Sequence, residues 1–205
     1  MVKFLLLLSF SLLSCHNPNT KIDESKNKSY DYKLRDTAIK AIWREWKYDP
    51  RIKDTSSMII LNEQYFKNIS PPEKAAIGYI ATFVGSECDW DGSPKEDQSN
   101  LDCKVLKAMR LGYQCSETHL TFLRHWLRTD SALLKDLDGC PIIPLNAWQQ
   151  NSFFELHVRT NVDTIHVTYE ADSANFKKKI FYHWTEDLIF KVAGDNIHLL
   201  SRQKK

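Results

Sequence analysis

The sequence has few of the features by which enzymes are recognised. It contains six glycines in 205 residues, and none of them forms a glycine-rich phosphate loop. The nucleophile motif G-x-S-x-G and the zinc-protease motif H-E-x-x-H are both missing. The cysteines include no C-x-x-C pair, which argues against a zinc ribbon or a thioredoxin-like redox site. Because no nucleophile is assembled with a base, we predict no catalytic residue.

An excess of charge of one sign is also lacking. Lys and Arg number 28 and Asp and Glu number 26, so the formal net charge is +2. A nucleic-acid-binding domain usually concentrates basic residues in a patch or stripe. The near-neutral balance therefore gives no support to a nucleic-acid partner.

The first fifteen residues have the organisation of an export signal. A short basic start, Met1–Lys3, precedes an apolar run from Phe4 to Leu13, which is too short to span a hydrocarbon core of about 30 Å but suits a signal peptide. The run ends Leu12-Leu13-Ser14-Cys15, which resembles the lipobox of bacterial lipoproteins. The resemblance implies cleavage before Cys15 and a membrane anchor on its thiol, with acyl chains such as palmitate. The alternative is an ordinary secretory signal in which the cysteine occurs by chance.

Residues 16–31 are polar, rich in Asn, Lys and Ser, and without periodicity, which predicts a flexible tether with a reach of roughly 20–25 Å. We therefore predict a signal peptide over 1–14, the lipidated cysteine and tether over 15–31, and one α+β domain over 32–205. The resemblance places that domain in the bacterial cell envelope, on the periplasmic or the cell-surface side.

With Cys15 assigned to lipid, four cysteines remain, and an even number in an oxidising compartment predicts two disulfides. Of the three pairings, Cys88–Cys103 and Cys115–Cys140 are favoured because each closes a local excursion of the chain. The alternative, a catalytic thiol, needs an unpaired cysteine beside a base.

From 32 to 140 the apolar residues recur mostly at helical spacing. One wide stripe predicts a helix that ends at Asp49-Pro50: Leu34, Ala38, Ile39, Ile42, Trp43 and Trp46. Ser70-Pro71-Pro72-Glu73 is a helix start in which Ser70 caps and Glu73 completes a capping box. Further helices are predicted over Cys103–Arg110, after the cap Ser116, and over Ser131–Leu137. The short apolar run Met58–Leu61 fits a strand or a helix.

From 150 to 201 the apolar period changes to two. Five short segments alternate apolar with polar residues, which predicts a five-stranded antiparallel meander: Phe154–Val158, Ile165–Tyr169, Ile180–Trp184, Leu188–Val192 and Ile197–Leu199. Gly194-Asp195 is a two-residue turn signal. One face of this sheet is apolar, and the disulfide-braced helices of 32–140 are its expected cover.

Strand parity places several histidines on the sheet face away from the helices. A tight turn at Asn161-Val162 would put His157 opposite His166, and the next connection would put His166 opposite His183. Three imidazoles would then lie in a row, with neighbouring Cβ atoms roughly 5 Å apart. Such a row suits zinc or copper. The alternative is a solvated sheet face on which histidine happens to recur.

The segment from Asp89 to Asp102 is predicted to be an exposed polar loop. Asp89 and Asp91 flank Trp90, and Asp-x-Asp-Gly resembles part of a calcium loop, but the later ligands of an EF-hand are missing. An aromatic residue between polar groups is typical of a partner-binding tip. Trp90, with Asp89 and Asp91, is therefore the candidate contact with a partner.

These observations favour an envelope lipoprotein that binds a protein without catalysing a reaction. Its format is similar to that of inhibitor or immunity lipoproteins, which neutralise a toxic envelope enzyme. The alternatives are a metal-dependent envelope enzyme that uses the histidine-bearing sheet face, and a structural accessory subunit of an envelope complex.

Overall fold

The computed structural model describes residues 38–50, 53–84, 88–90, 101–140, 149–175 and 177–205, with the backbone alone at a few of these positions. All of them belong to one compact unit, Asp31–Lys205. The predicted signal peptide, Cys15 and the tether lie outside the described residues, and so do Asp91 and the remainder of the loop up to residue 100.

The described elements combine helices with antiparallel strands, so the predicted α+β class is confirmed. The helices are α1 (Glu63–Lys67), α2 (Pro71–Phe83), α3 (Lys104–Ala108), α4 (Glu117–Trp126) and α5 (Ser131–Asp138). The strands are β1 (Ile39–Asp49), β2 (Asp54–Leu61), β3 (Cys88–Trp90), β4 (Leu101–Cys103), β5 (Gln149–Asn161), β6 (Thr164–Asn175), β7 (Ile180–Ala193) and β8 (Asn196–Lys204). Six strands form one antiparallel sheet in the order β2-β1-β5-β6-β7-β8, and β3 pairs with β4 in a separate ribbon.

The first predicted helix is wrong, because the described part of that segment is strand β1. β1 pairs with β2 on one side and with β5 on the other. A bulge between Lys40 and Ile42 interrupts the register, and the adjacent residues Ala41 and Ile42 are both fully buried. A bulge inserts one residue and breaks the period of two, which is why the apolar spacing resembled that of a helix. The run at Met58–Leu61 belongs to β2, so the region predicted as helical begins with a β-hairpin.

The helices with strong capping signals form where they were predicted. At the start of α2, the Glu73 carboxylate accepts hydrogen bonds from the backbone N–H and the hydroxyl of Ser70, which is the predicted capping box. Glu73 is itself buried and also accepts a hydrogen bond of 2.6 Å from the Thr160 hydroxyl on β5. This carboxylate therefore joins the helix to the sheet. Ser116 caps α4 by accepting from the His119 N–H.

The meander has four strands, β5 to β8, and the predicted count of five is wrong. The segments predicted at 180–184 and 188–192 are parts of one 14-residue strand, β7. Glu186 lies between them, and its charged side chain is only 3% exposed because it forms an ion pair with Arg202 and accepts a hydrogen bond from the Tyr169 hydroxyl. The turn at Gly194-Asp195 is confirmed, and Gly194 has the positive φ of +63° that favours glycine there.

The core lies between the helices and one face of the sheet. α2 contacts β6 and β8, and α4 contacts both α2 and β8. The buried residues of the strands alternate, as a sheet with one covered face requires: Leu156, Val158, Ile165, Val167, Leu188, Phe190 and Ile197. The intervening residues face away from the helices.

One disulfide joins Cys115, just before α4, to Cys140, just after α5, and confirms that predicted pairing. The ends of the predicted Asp89–Asp102 loop are strands instead, because β3 and β4 pair with Asp89 opposite Asp102. The same register sets Cys88 opposite Cys103, and Cys103 is disulfide-bonded. The predicted Cys88–Cys103 pairing agrees with this register.

Candidate functional site

The predicted row of three histidines does not form. The turn between β5 and β6 lies at Val162-Asp163, one residue later than predicted, so that His157 pairs with Thr168 and His166 with Arg159. β6 and β7 continue to Asn175 and Ile180, which shifts the second register so that His166 pairs with Ile189 and His183 with Asp172. Asp172, the partner of His183 on β6, is six residues from His166 along that strand, which corresponds to about 20 Å at 3.3 Å per residue. His183 therefore lies far from His166.

Two of these histidines have separate acidic neighbours on the outer sheet face. His183 Nδ1 is 2.7 Å from the Asp172 carboxylate and its Nε2 is 3.6 Å from that of Glu170. His157 contacts the Glu155 carboxylate, which also pairs with Lys40. Burial alone would raise the pKa of Glu155, but the hydrogen bonds from these two partners outweigh it and lower that pKa.

The registers therefore do not bring together the three histidines on which the zinc or copper hypothesis was based. Within the described ranges, no three His, Cys, Asp or Glu side chains are grouped so that they could hold a metal ion. The predicted partner-binding residues Asp89 and Trp90 lie in β3, where only the backbone is described.

A different surface stands out at one end of the large sheet. Five apolar side chains on β1 and β7 are each more than half exposed, from 52% for Tyr182 to 73% for Phe181: Trp46, Tyr48, Ile180, Phe181 and Tyr182. The antiparallel registers direct the Asp49 end of β1, the start of β5, the end of β6 and the start of β7 toward the same end of the sheet. We call these five residues the open sheet end.

The open sheet end begins where the buried part of β7 stops. Tyr182 stacks on Trp184 with ring centroids 5.7 Å apart, and Trp184 is already buried. The ammonium group of Lys204 lies over both rings, 4.7 Å from the centroid of Trp184 and 5.4 Å from that of Tyr182. A cation over two aromatic faces holds the end of β8 against this part of β7.

A polar cluster around the buried Glu186 fixes β7 directly behind this stack. It consists of Glu186 and its partners Tyr169 and Arg202. Burial, and then the hydrogen bond to Glu186, raises the pKa of Tyr169 well above its ordinary value. The hydrogen bond that Arg202 donates to Glu186 raises the pKa of Arg202. Tyr169 therefore stays a neutral hydrogen-bond donor and Arg202 stays charged. Their contacts with Glu186 hold β7 in place next to its exposed residues.

A turn of three exposed lysines, Lys177–Lys179, precedes the exposed residues of β7. Among the described residues, none of the three forms an ion pair with an acidic side chain. Sequence reasoning missed this site because Ile180 and Tyr182 were expected to be covered by helices. The available signal was the run Lys-Lys-Lys beside Ile-Phe-Tyr, a concentration of positive charge next to apolar residues.

One more buried titratable group lies among the helices. The His119 side chain on α4 is fully buried. Its Nδ1 accepts a 3.1 Å hydrogen bond from the Cys115 N–H, and its Nε2 is 3.3 Å from the Thr82 hydroxyl on α2. Since Nδ1 is an acceptor, the proton of the neutral ring lies on Nε2. Burial lowers the pKa of His119 to about 4, so this imidazole is neutral and joins α4 to α2.

No protein-family model, no curated protein and no solved structure matches this chain. Of the helices described, none is long and apolar enough to cross a membrane.

Proposed function

We propose that this chain is a lipid-tethered lipoprotein of the bacterial cell envelope that binds a protein partner through the open sheet end. The observation that carries the proposal is the exposure of five large apolar side chains at one end of the sheet. Exposed apolar residues scattered singly are ordinary, whereas several large ones at the same end of a sheet, beside charged residues, are typical of an interaction site.

The lipobox-like sequence that ends at Cys15 supports the lipid tether, and in this proposal the acyl chains are attached to Cys15. Trp90 remains a proposed second contact. Within the binding class, an inhibitor or immunity role fits a chain that combines disulfide bracing, a tether and no recognised catalytic motif. A structural accessory subunit would bind through the same surface, so the identity of the partner separates these two roles.

The test is capture with the full-length chain, purified from membranes in mild detergent, against envelope extract and the secreted proteins of neighbouring strains. The wild type is compared with Phe181→Ser and Trp46→Ser, and with Leu200→Ser as the matched control. Leu200 is also apolar and 55% exposed, but it lies at the bulge between β7 and β8, away from the open sheet end.

We expect one protein to be recovered in near-stoichiometric amounts by the wild type and by Leu200→Ser. Truncating a central aromatic contact typically costs about 2 kcal/mol or more, so each of the other variants should bind the purified partner roughly 30-fold more weakly. A secreted hydrolase or toxin as partner supports the inhibitor role, and a resident envelope protein supports the accessory role. Equal binding by all four proteins contradicts the assignment of the surface.

The tether is tested separately. The Cys15→Ser variant should move from the membrane fraction to the soluble fraction, and the wild-type mature protein should begin at an acylated Cys15 by mass spectrometry. An unmodified mature protein that begins elsewhere would show an ordinary secretory signal.

A further inference from the structure

We propose that the exposed edge of β7 at residues 180–184 binds an extended acidic segment of the protein partner as an added β-strand. This inference rests on the proposed function and specifies the chemistry of the partner. β6 pairs with β7 from Ile180 onward, whereas β8 meets β7 from Thr185 onward. Within the described part of the chain, no strand pairs with the other side of residues 180–184.

The backbone groups available on that edge follow from the ladder beside it. Thr185 and Lys205 exchange both backbone hydrogen bonds, at 3.3 Å and 2.9 Å, so the N–H and C=O of Thr185 point toward the β8 side. In an antiparallel ladder alternate residues point their backbone groups to the same side. The N–H and C=O groups of His183 and Phe181 therefore point to the exposed edge, where an added strand could pair with them.

The side chains beside these groups favour an extended polypeptide. Phe181 projects from one face of the sheet, while Ile180 and Tyr182 project from the other, because successive side chains of a strand alternate. A strand added at this edge would find an exposed apolar side chain on each face. Main-chain pairing supplies affinity in this mode of recognition, and the side-chain contacts supply specificity.

The charges around the edge select the occupant. The Lys177–Lys179 turn lies at one end of the edge, and Lys204 lies at the other, over the rings of Tyr182 and Trp184. The neighbouring Lys205 is ion-paired with Asp187. The nearby acidic residues Asp172 and Glu170 are engaged by His183 on the outer face. A second copy paired antiparallel at the same edge would bring two sets of these lysines together, which is unfavourable. An acidic segment would instead meet lysine side chains at both ends of the exposed edge.

The probe is a synthetic peptide of about seven residues, a common strand length, in which glutamate alternates with valine. The control peptide has lysine in place of glutamate. Hydrogen exchange of the backbone amides is followed by NMR in the full chain in detergent micelles. We expect the acidic peptide to slow exchange at Phe181 and His183 by at least about tenfold, as hydrogen bonding of an exposed amide should, and the basic peptide to leave it unchanged.

Two variants separate the backbone from the side chain. Phe181→Ser removes the aromatic ring and keeps the backbone N–H. Phe181→Pro removes the aromatic ring and the backbone N–H. The proline leaves the hydrogen bonds between β6 and β7 intact, because the N–H of residue 181 points to the exposed edge. We expect Phe181→Pro to bind the acidic peptide about tenfold more weakly than Phe181→Ser, the effect of one lost backbone hydrogen bond. His183→Pro, on the same edge, repeats the test if Phe181→Pro does not fold.

The inference is overturned if the acidic peptide does not bind, if it binds without slowing exchange at both amides, or if the serine and proline variants bind it equally. It is also overturned if phosphatidylglycerol vesicles protect these amides while the peptide does not, because the edge would then contact a lipid surface. If these tests fail while capture of the partner still depends on Phe181 and Trp46, the binding function stands and only strand addition is excluded.

Discussion

Lowering the pH from 7 to 4 is expected to destabilise the domain through one imidazole, that of His119 on α4. The pKa of His119 is about 4 in the folded protein, against 6.5 for the unperturbed group. Because the folded value is the lower one, the unfolded chain binds a proton that the folded chain does not between these two values. The stability due to neutral His119 is therefore complete above pH 6.5 and is lost as the pH falls toward 4.

The size of this loss follows from the two pKa values. They differ by roughly 2.5 pH units, and each unit corresponds to about 1.4 kcal/mol, so the free energy of unfolding should fall by about 3 kcal/mol. The structural cause is that protonation would put a second proton on the ring, at Nδ1, where the Cys115 N–H already donates. The ring would then have to leave its site or break that hydrogen bond.

The assay is urea unfolding of the full chain at pH 7, 6, 5 and 4, with His119→Gln as the non-titrating variant. The difference in free energy between the two proteins at each pH isolates the imidazole, since the carboxylates titrate in both. At pH 7 the wild type should be more stable by about 1–2 kcal/mol, the contribution of the lost hydrogen bond. By pH 4 the order should be reversed. A difference that stays constant from pH 7 to pH 4 would refute the assignment of His119 as a buried neutral group.

Three further predictions concern the packing of the fold. Replacing Cys115 and Cys140 by alanine should lower the free energy of unfolding by about 3.5 kcal/mol, because the disulfide closes a 25-residue separation; an unchanged urea midpoint would contradict this. Glu73→Gln should cost about 2 kcal/mol, since a buried carboxylate that accepts three hydrogen bonds loses its charge, and a loss below about 0.5 kcal/mol would show that the capping box is dispensable. Arg202→Gln should cost about 2 kcal/mol, because Glu186 is left buried without its ion-pair partner; thermal unfolding of the double variant with Glu186→Gln should show that most of this loss is recovered, and equal losses would argue against the pairing.

Elements with local signals were predicted well. The cap and proline at the start of α2 and the cap of α4 lie within a few residues of the helices they begin, so the sequence alone contains the whole cause. Cys115 and Cys140 were paired correctly for a similar reason, because a local excursion brings them together.

Elements that depend on distant partners could not be predicted. Whether β1 is a strand depends on β5, and its bulge hides the period of two. The continuity of β7 depends on Tyr169 and Arg202, which make a buried Glu186 tolerable. The histidine register depended on the length of the β6–β7 hairpin, and an error of a few residues in that length moved His183 away from His166.

The open sheet end was missed because exposure is a property of the whole fold. Parity correctly groups Ile180 and Tyr182 with Trp184, but parity does not tell how far along a strand the helices reach. Trp184 is buried and Tyr182, two residues earlier, is half exposed. The boundary between the buried and the exposed part of β7 lies between them, and the alternation along the strand does not mark it.

The position of β1 inside the sheet has a consequence for the order of folding. Ile39 pairs with Val158, so the edge that β1 shares with β5 has no partner until most of the chain has been made. The β1–β2 hairpin, by contrast, can close as soon as Leu61 is available. Non-local pairings of this kind slow folding and leave strand edges exposed to aggregation meanwhile. The N-terminal hairpin is thus a part of the nascent chain whose second edge stays unpaired during synthesis, and its docking onto β5 joins it to the meander.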